Sequence, residues 1–152
     1  MSTFQKILYW FLIGIALIQF IPIDRTNKPV DGKVNFINVF QTPKNVQIIL
    51  KKACYDCHSS ETIYPNYAFF APISWSIQNH ISEGREHLNL SEWGNYNQDL
   101  KKNMLKNSVQ SLKNYSMPMG AYISKHPEAN LTKEERVLLA DYFENILNSG
   151  NF

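Results

Sequence analysis

Cys54, Cys57 and His58, in the run Cys54-Tyr55-Asp56-Cys57-His58, are the residues whose types and spacing are best suited to chemistry. C-x-x-C-H is the attachment pattern of c-type haem. Two thiols at that spacing, at the end of a helix, can both add to the vinyl groups of one haem. The adjacent histidine then reaches the iron through an imidazole nitrogen. These are the only two cysteines in the chain, so they cannot build a disulfide framework and read as one local site. The expected cofactor is therefore haem c, held covalently through Cys54 and Cys57 with His58 on the iron. A thioredoxin-like C-x-x-C needs a βαβ context that is absent here. Structural zinc needs four ligands, which Cys54, Cys57 and two of the four histidines would have to supply. No H-x-x-x-H-type pair is present, since His80 and His87 are seven apart.

The second axial position sets the reduction potential. The segment Asn114-Tyr115-Ser116-Met117-Pro118-Met119-Gly120 places methionine in a Pro- and Gly-containing loop well downstream of the cysteines. A thioether there completes His/Met ligation, which raises the potential and suits electron transfer. Met117 is the first choice because it immediately precedes Pro118, with Met119 the close alternative. Met104, among leucine and valine at helical spacing, reads as core. His80, on a helix near Ile77 and Ile81, is the alternative for a bis-His site. His87 and His126 lie in polar surroundings.

These residues need elements to position them. Ile7 to Ile23 reads ILYWFLIGIALIQFIPI, apolar except at Gln19 and broken at Pro22. With Lys6 before it and no small-x-small cleavage pattern after it, residues 1–23 read as an uncleaved signal-anchor or transmembrane helix. Residues 24–41 mix Pro, Gly, Asn and charges and read as a linker. Thr42 as N-cap and Pro43 at the first helical position open a helix carrying Val46, Ile49, Leu50 and Ala53 into Cys54. Further helices are expected from Pro72 to about Leu88, from Asn95 to Asn114, and from Thr132, where Thr132 and Glu135 form a capping box and Gly150 follows the end. No alternating run is long enough for a sheet. The expectation is an all-α, cytochrome c-like helical domain over 42–152 around one covalently bound haem, behind an N-terminal transmembrane helix. The first helix of the domain should pack on the last. Net charge is +2 with the Lys and Arg residues scattered, and no phosphate-cradling Gly-rich loop is present, which argues against a nucleic-acid partner. A lone lysine ahead of the anchor favours a membrane-anchored protein with its haem domain periplasmic.

Several longer motifs surround the attachment site: Cys54 to Ser59, Tyr64-Pro65-Asn66-Tyr67, Pro72-Ile73-Ser74-Trp75, and His80-Ile81-Ser82-Glu83-Gly84-Arg85. His87 to Trp93, Met117-Pro118, Tyr122, His126-Pro127-Glu128-Ala129 and Leu131-Thr132 complete the set. From Val46 to Leu147 the chain resembles the bacterial haem-binding domain family. The resemblance implies a cytochrome c-like domain behind an N-terminal anchor, and it favours Met117 over Met119. Asn66 and Met119-Gly120 depart from the family pattern, in which a second aromatic and a second proline are common. The resemblance also singles out His80 to Trp93, where Arg85 could neutralise a haem propionate and Trp75 or Trp93 could stack near the ring or donate an indole N–H. The alternative for these three is a solvated charge and two core tryptophans.

The reading that results is a monohaem c-type cytochrome passing one electron to an unidentified redox protein partner. A haem-based sensor with a labile sixth ligand is the alternative. A peroxidase-like enzyme with His80 as distal acid-base group ranks third, because nothing in the sequence positively supports turnover.

Overall fold

The computed structural model describes residues 2–152, and helices with their connecting turns are the only regular structure among them. In chain order the helices are α1 (Thr3–Ile18), α2 (Phe36–Val39), α3 (Lys44–Ala53), α4 (Tyr55–His58), α5 (Ile73–His87), α6 (Gln98–Lys113), α7 (Gly120–Ile123) and α8 (Lys133–Ser149). Three 3-10 turns, Asn66–Phe69, Leu90–Asn95 and Pro127–Ala129, lie between them.

Local chemistry sets the helix boundaries. Asn97 caps α6 by accepting from Leu100 N at 2.9 Å. Thr132 and Glu135 form the expected reciprocal capping box at α8. Gly150, at φ 70°, ends that helix in the left-handed region that glycine enters without a Cβ penalty. α3 starts one residue later than its sequence suggests. Pro43 is the capping residue, and Thr42 is buried with its hydroxyl accepting from Tyr142 at 3.0 Å.

α6 and α8 pack along each other more extensively than any other pair, while α3 meets the start of α8. Leu50, Leu105, Leu139 and Phe143 are fully or almost fully buried between these helices. The stretch read as linker contributes to this core. Phe36 is wholly buried and meets Trp93 edge-on at 5.1 Å and Phe143 at 5.8 Å. α5 stands against α4 on the other side of the cysteines.

The expected transmembrane helix is not formed. No helix among the described residues is long and apolar enough to cross a membrane. α1 has 16 residues, a rise of about 24 Å, against a hydrocarbon core of about 30 Å. The apolar run continues to Ile23, but the helix stops at Gln19, whose side chain turns back onto the domain. Its amide donates to Ile15 O and Ala71 O, and its oxygen accepts from Ala71 N at 3.0 Å. The membrane-anchored, periplasmic placement rested on that span and falls with it.

Candidate functional site

Cys54 forms the joint between α3 and α4, and Cys57 lies within α4. Cys54 closes α3 by donating its N–H to Leu50 O at 2.9 Å, and its own carbonyl accepts from His58 N at 2.8 Å. Between them Tyr55 points into the core, 1% exposed, with its hydroxyl donating to Asn35 Oδ1. That anchor turns Cys54, Cys57 and His58 toward a cavity of about 430 Å³. Its walls are mainly apolar: Leu50 and Ala53 of α3, Leu88 and Leu90 after α5, Met104 and Leu112 of α6, and Leu139 and Phe143 of α8.

His58 is held in one tautomer. Its Nδ1 lies 2.8 Å from Gly84 O and 3.1 Å from Leu88 O. Both partners are carbonyls, so Nδ1 carries the hydrogen and Nε2 keeps its lone pair. Burial pushes the imidazole below its ordinary pKa and keeps the ring neutral. A neutral ring with one nitrogen tied to backbone carbonyls is how a histidine is prepared for a metal. The cysteines are free, and burial pushes the Cys54 thiol up to about 12 and the Cys57 thiol to about 11. They stay protonated near neutral pH, unlike the thiolates of metal sites and redox C-x-x-C pairs. No cluster of three or more His, Cys, Asp or Glu side chains suited to a metal ion occurs among the described residues, which leaves the zinc alternative without its ligand set.

The loop between α6 and α7 brings Met117, Pro118 and Met119 to the same cavity, and both methionines are partly exposed there. His80 also lines it, at the rim, its side chain 45% exposed and its Nδ1 3.7 Å from Glu83 Oε2. Met104 is buried, as expected, and also forms part of the wall.

Arg85, Trp75 and Trp93 are not among the lining residues. Arg85 braces the loop after His58 instead. Its Nε donates to Ser59 O at 2.8 Å, and one terminal nitrogen donates to Thr62 Oγ1 and Asn27 Oδ1. Trp75 donates its indole N–H to Ile21 O, just after α1. Trp93 is wholly buried between Phe36 and Phe40.

Other contributors carried weaker sequence signals. Gly84 lets α5 approach α4, since a Cβ there would sit 2.7 Å from Cys57 O. Its place in an otherwise regular helix was the available hint. Tyr122 lines the cavity and donates its hydroxyl to Asp56 Oδ2 at 2.7 Å, joining α7 to the C-x-x-C-H segment. His126, outside the cavity, stacks on Tyr122 at 4.4 Å and pairs through Nε2 with Tyr67 Oη at 2.8 Å. His87 reaches the wall because it lies two helical turns beyond His80, on the same face of α5. Arg136 of α8, buried beside the Met117 loop, has no sequence signature at all.

In comparison with known proteins, the haem-binding domain family matches the chain over residues 13–145. No curated protein and no solved structure matches it.

Proposed function

Since the chain belongs to the haem-binding domain family and is a haem-binding protein, we propose that it is a monohaem c-type cytochrome whose cofactor is covalently attached at Cys54 and Cys57. One observation carries this reading. His58 presents an unprotonated Nε2, fixed by the Gly84 and Leu88 carbonyls, to an apolar cavity that both thiols also line. The residues present fit haem: two thiols at the right spacing, one prepared imidazole, thioethers in the same cavity and apolar walls.

Each residue then has a task. Cys54 and Cys57 would hold the haem through thioethers, each S–H adding across one vinyl double bond with no leaving group. His58 Nε2 would ligate the iron. Met117 would supply the second protein ligand, with Met119 and His80 as the alternatives lining the same cavity. When bound, haem iron supplies a ferric/ferrous couple, exchanging one electron with a redox protein partner. The apolar wall excludes water, and thioether ligation raises the potential.

The test is expression with a c-haem maturation system, then denaturing electrophoresis with haem staining and spectra of the purified protein. Wild type should keep haem in denaturant, and the C54A/C57A variant should lose it. Ferric wild type should show the weak red band of iron–thioether ligation, abolished in M117A and retained in M119A. Haem that dissociates from wild type in denaturant overturns the covalent reading. A band that survives in M117A overturns the ligand assignment.

A further inference from the structure

α8 places one buried cation against the backbone of the Met117 loop, behind the cavity that both thiols line rather than on its wall. Arg136, in the first turn, is 6% exposed, and no carboxylate among the described residues pairs with it. A charge buried without a counter-ion costs several kcal/mol unless its hydrogen bonds are well met. Its partners are backbone carbonyls. One terminal nitrogen donates to Leu112 O at 3.2 Å and to Met117 O at 2.5 Å. The guanidinium carbon also stands 4.4 Å from the centre of the Tyr115 ring. Nε has no partner among the described residues. The two carbonyls bracket the turn that carries Met117 off the end of α6, where Tyr115 sits at φ 61° and Ser111 O accepts from both Ser116 N and Met117 N.

The same turn of α8 is tied to the other half of the site. Glu135 pairs with Lys52 at 2.5 Å, two residues before Cys54. The field of Arg136 also reaches that cysteine. Burial is the largest influence on the Cys54 thiol and pushes it up, Cys57 adds to that push, and Arg136 acts in the opposite direction.

We propose that Arg136 is a positioning residue for the sixth ligand: its guanidinium spans the Leu112 and Met117 carbonyls, holds the Met117 thioether on the cavity, and places a buried positive charge that favours ferrous over ferric haem. The inference rests on haem attachment and Met117 ligation as proposed above. A fixed cation in low dielectric penalises the more positive oxidation state, so the midpoint potential rises. The hydrogen bonds to a carbonyl on either side of the turn oppose release of the methionine.

The test uses haem-loaded wild type, R136Q and R136K. The readouts are the red iron–thioether band as pH and temperature are raised, the midpoint potential, and urea unfolding. In R136Q the methionine-released form should gain about tenfold or more, as expected for one lost hydrogen bond from a charged group, and the potential should fall. R136K keeps the charge but ends one bond short of the carbonyls. It should hold more of the potential than R136Q while losing the band as readily. Lowered urea stability with band and potential unchanged is the result of a merely structural role and overturns the proposal. If R136Q does not accumulate, R136K decides, and unchanged loss of the band with pH overturns the positioning claim. Wild type without the red band sinks the ligand reading and this inference together. Wild type with the band, and R136Q indistinguishable from it, sinks this inference alone.

Discussion

At the scale of single residues, the site depends on how closely backbone can approach backbone. Gly84 lies in the last turn of α5, where alanine would ordinarily gain up to about 1 kcal/mol in helix propensity. Here an added Cβ would meet Cys57 O at 2.7 Å and Cys57 C at 3.2 Å, and the backbone atoms of α4 cannot rotate away as a side chain can. Overpacking of this kind costs about 1–3 kcal/mol, so the clash wins. G84A should be less stable than wild type to urea by about 1–2 kcal/mol, and haem attachment should fall because the Gly84 carbonyl that orients His58 must move with α5. A G84A protein as stable as wild type with unchanged haem yield would mean that α5 can retreat freely. That Cys54, Cys57 and His58 face one cavity was legible in the sequence because they lie within five residues of one another at a spacing with its own chemistry. Arg85, Trp75 and Trp93 were singled out only through resemblance, and nothing in a linear pattern says which way a helical side chain points. All three brace the scaffold: Arg85 on Ser59 O, Trp75 on Ile21 O, and Trp93 in the aromatic core. Arg136 went unseen because a lone arginine at an apolar helical position looks like any surface charge.

At the scale of elements, helix ends that carry their own signals were read within a residue or three, and those set by tertiary contacts were not. α8 announces itself by Thr132, Glu135 and Gly150, whereas α6, expected from Asn95, begins three residues later behind its Asn97 cap. The N-terminal run has composition but no boundary signal short of Pro22, and its helix ends at Gln19 because that side chain finds Ala71 on a distant segment. Phe36 and Ile37 show no periodicity within 24–41, so their burial could not be anticipated. The first turn of α8 offers a separable test of its two devices. T132A removes the side-chain acceptor for Glu135 N and should cost about 1 kcal/mol with little dependence on pH. E135Q retains a capping amide but loses the ion pair with Lys52, worth under about 1 kcal/mol for a partly exposed pair. The hydrogen bond from Lys52, and then that from Thr132 N, hold the Glu135 carboxyl below its ordinary 4.5. A carboxyl depressed on folding contributes stability that is present above the unfolded value and lost as pH falls through the folded one. The gap between wild type and E135Q should therefore be full at pH 7 and shrink once the pH drops below about 4.5. A gap that widens in acid would rule out the ion pair as its source.

At the scale of the whole molecule, the cavity is the space between two groups of elements. The α3–α4 segment supplies the thiols and imidazole, and α5 supplies the Gly84 carbonyl that fixes the imidazole. α6, the Met117 loop and α8 supply the thioethers and the far apolar wall. The groups share one hydrophobic core and are tied by Lys52–Glu135 and Asp56–Tyr122 among others, and beside that core they enclose the cavity of about 430 Å³. An apolar wall facing such a space forgoes the dispersion contacts that close packing supplies. Haem joined at Cys54 and Cys57 and ligated by His58 and Met117 would fill that space and link both groups, so cofactor loading should dominate stability. The mode of attachment decides how that stability depends on concentration. A ligand that dissociates stabilises by RT ln(1 + [L]/Kd), about 1.4 kcal/mol for each tenfold rise in free ligand above Kd. A thioether-bound haem is part of the chain and adds no such term. The melting temperature of C54A/C57A should therefore climb steadily with added haem. Loaded wild type should melt at one temperature whatever the free haem concentration. If the wild-type melting temperature climbs in parallel with the variant's, haem exchanges with solution in both proteins. The family's cofactor would then be held here by ligation and apolar contact alone.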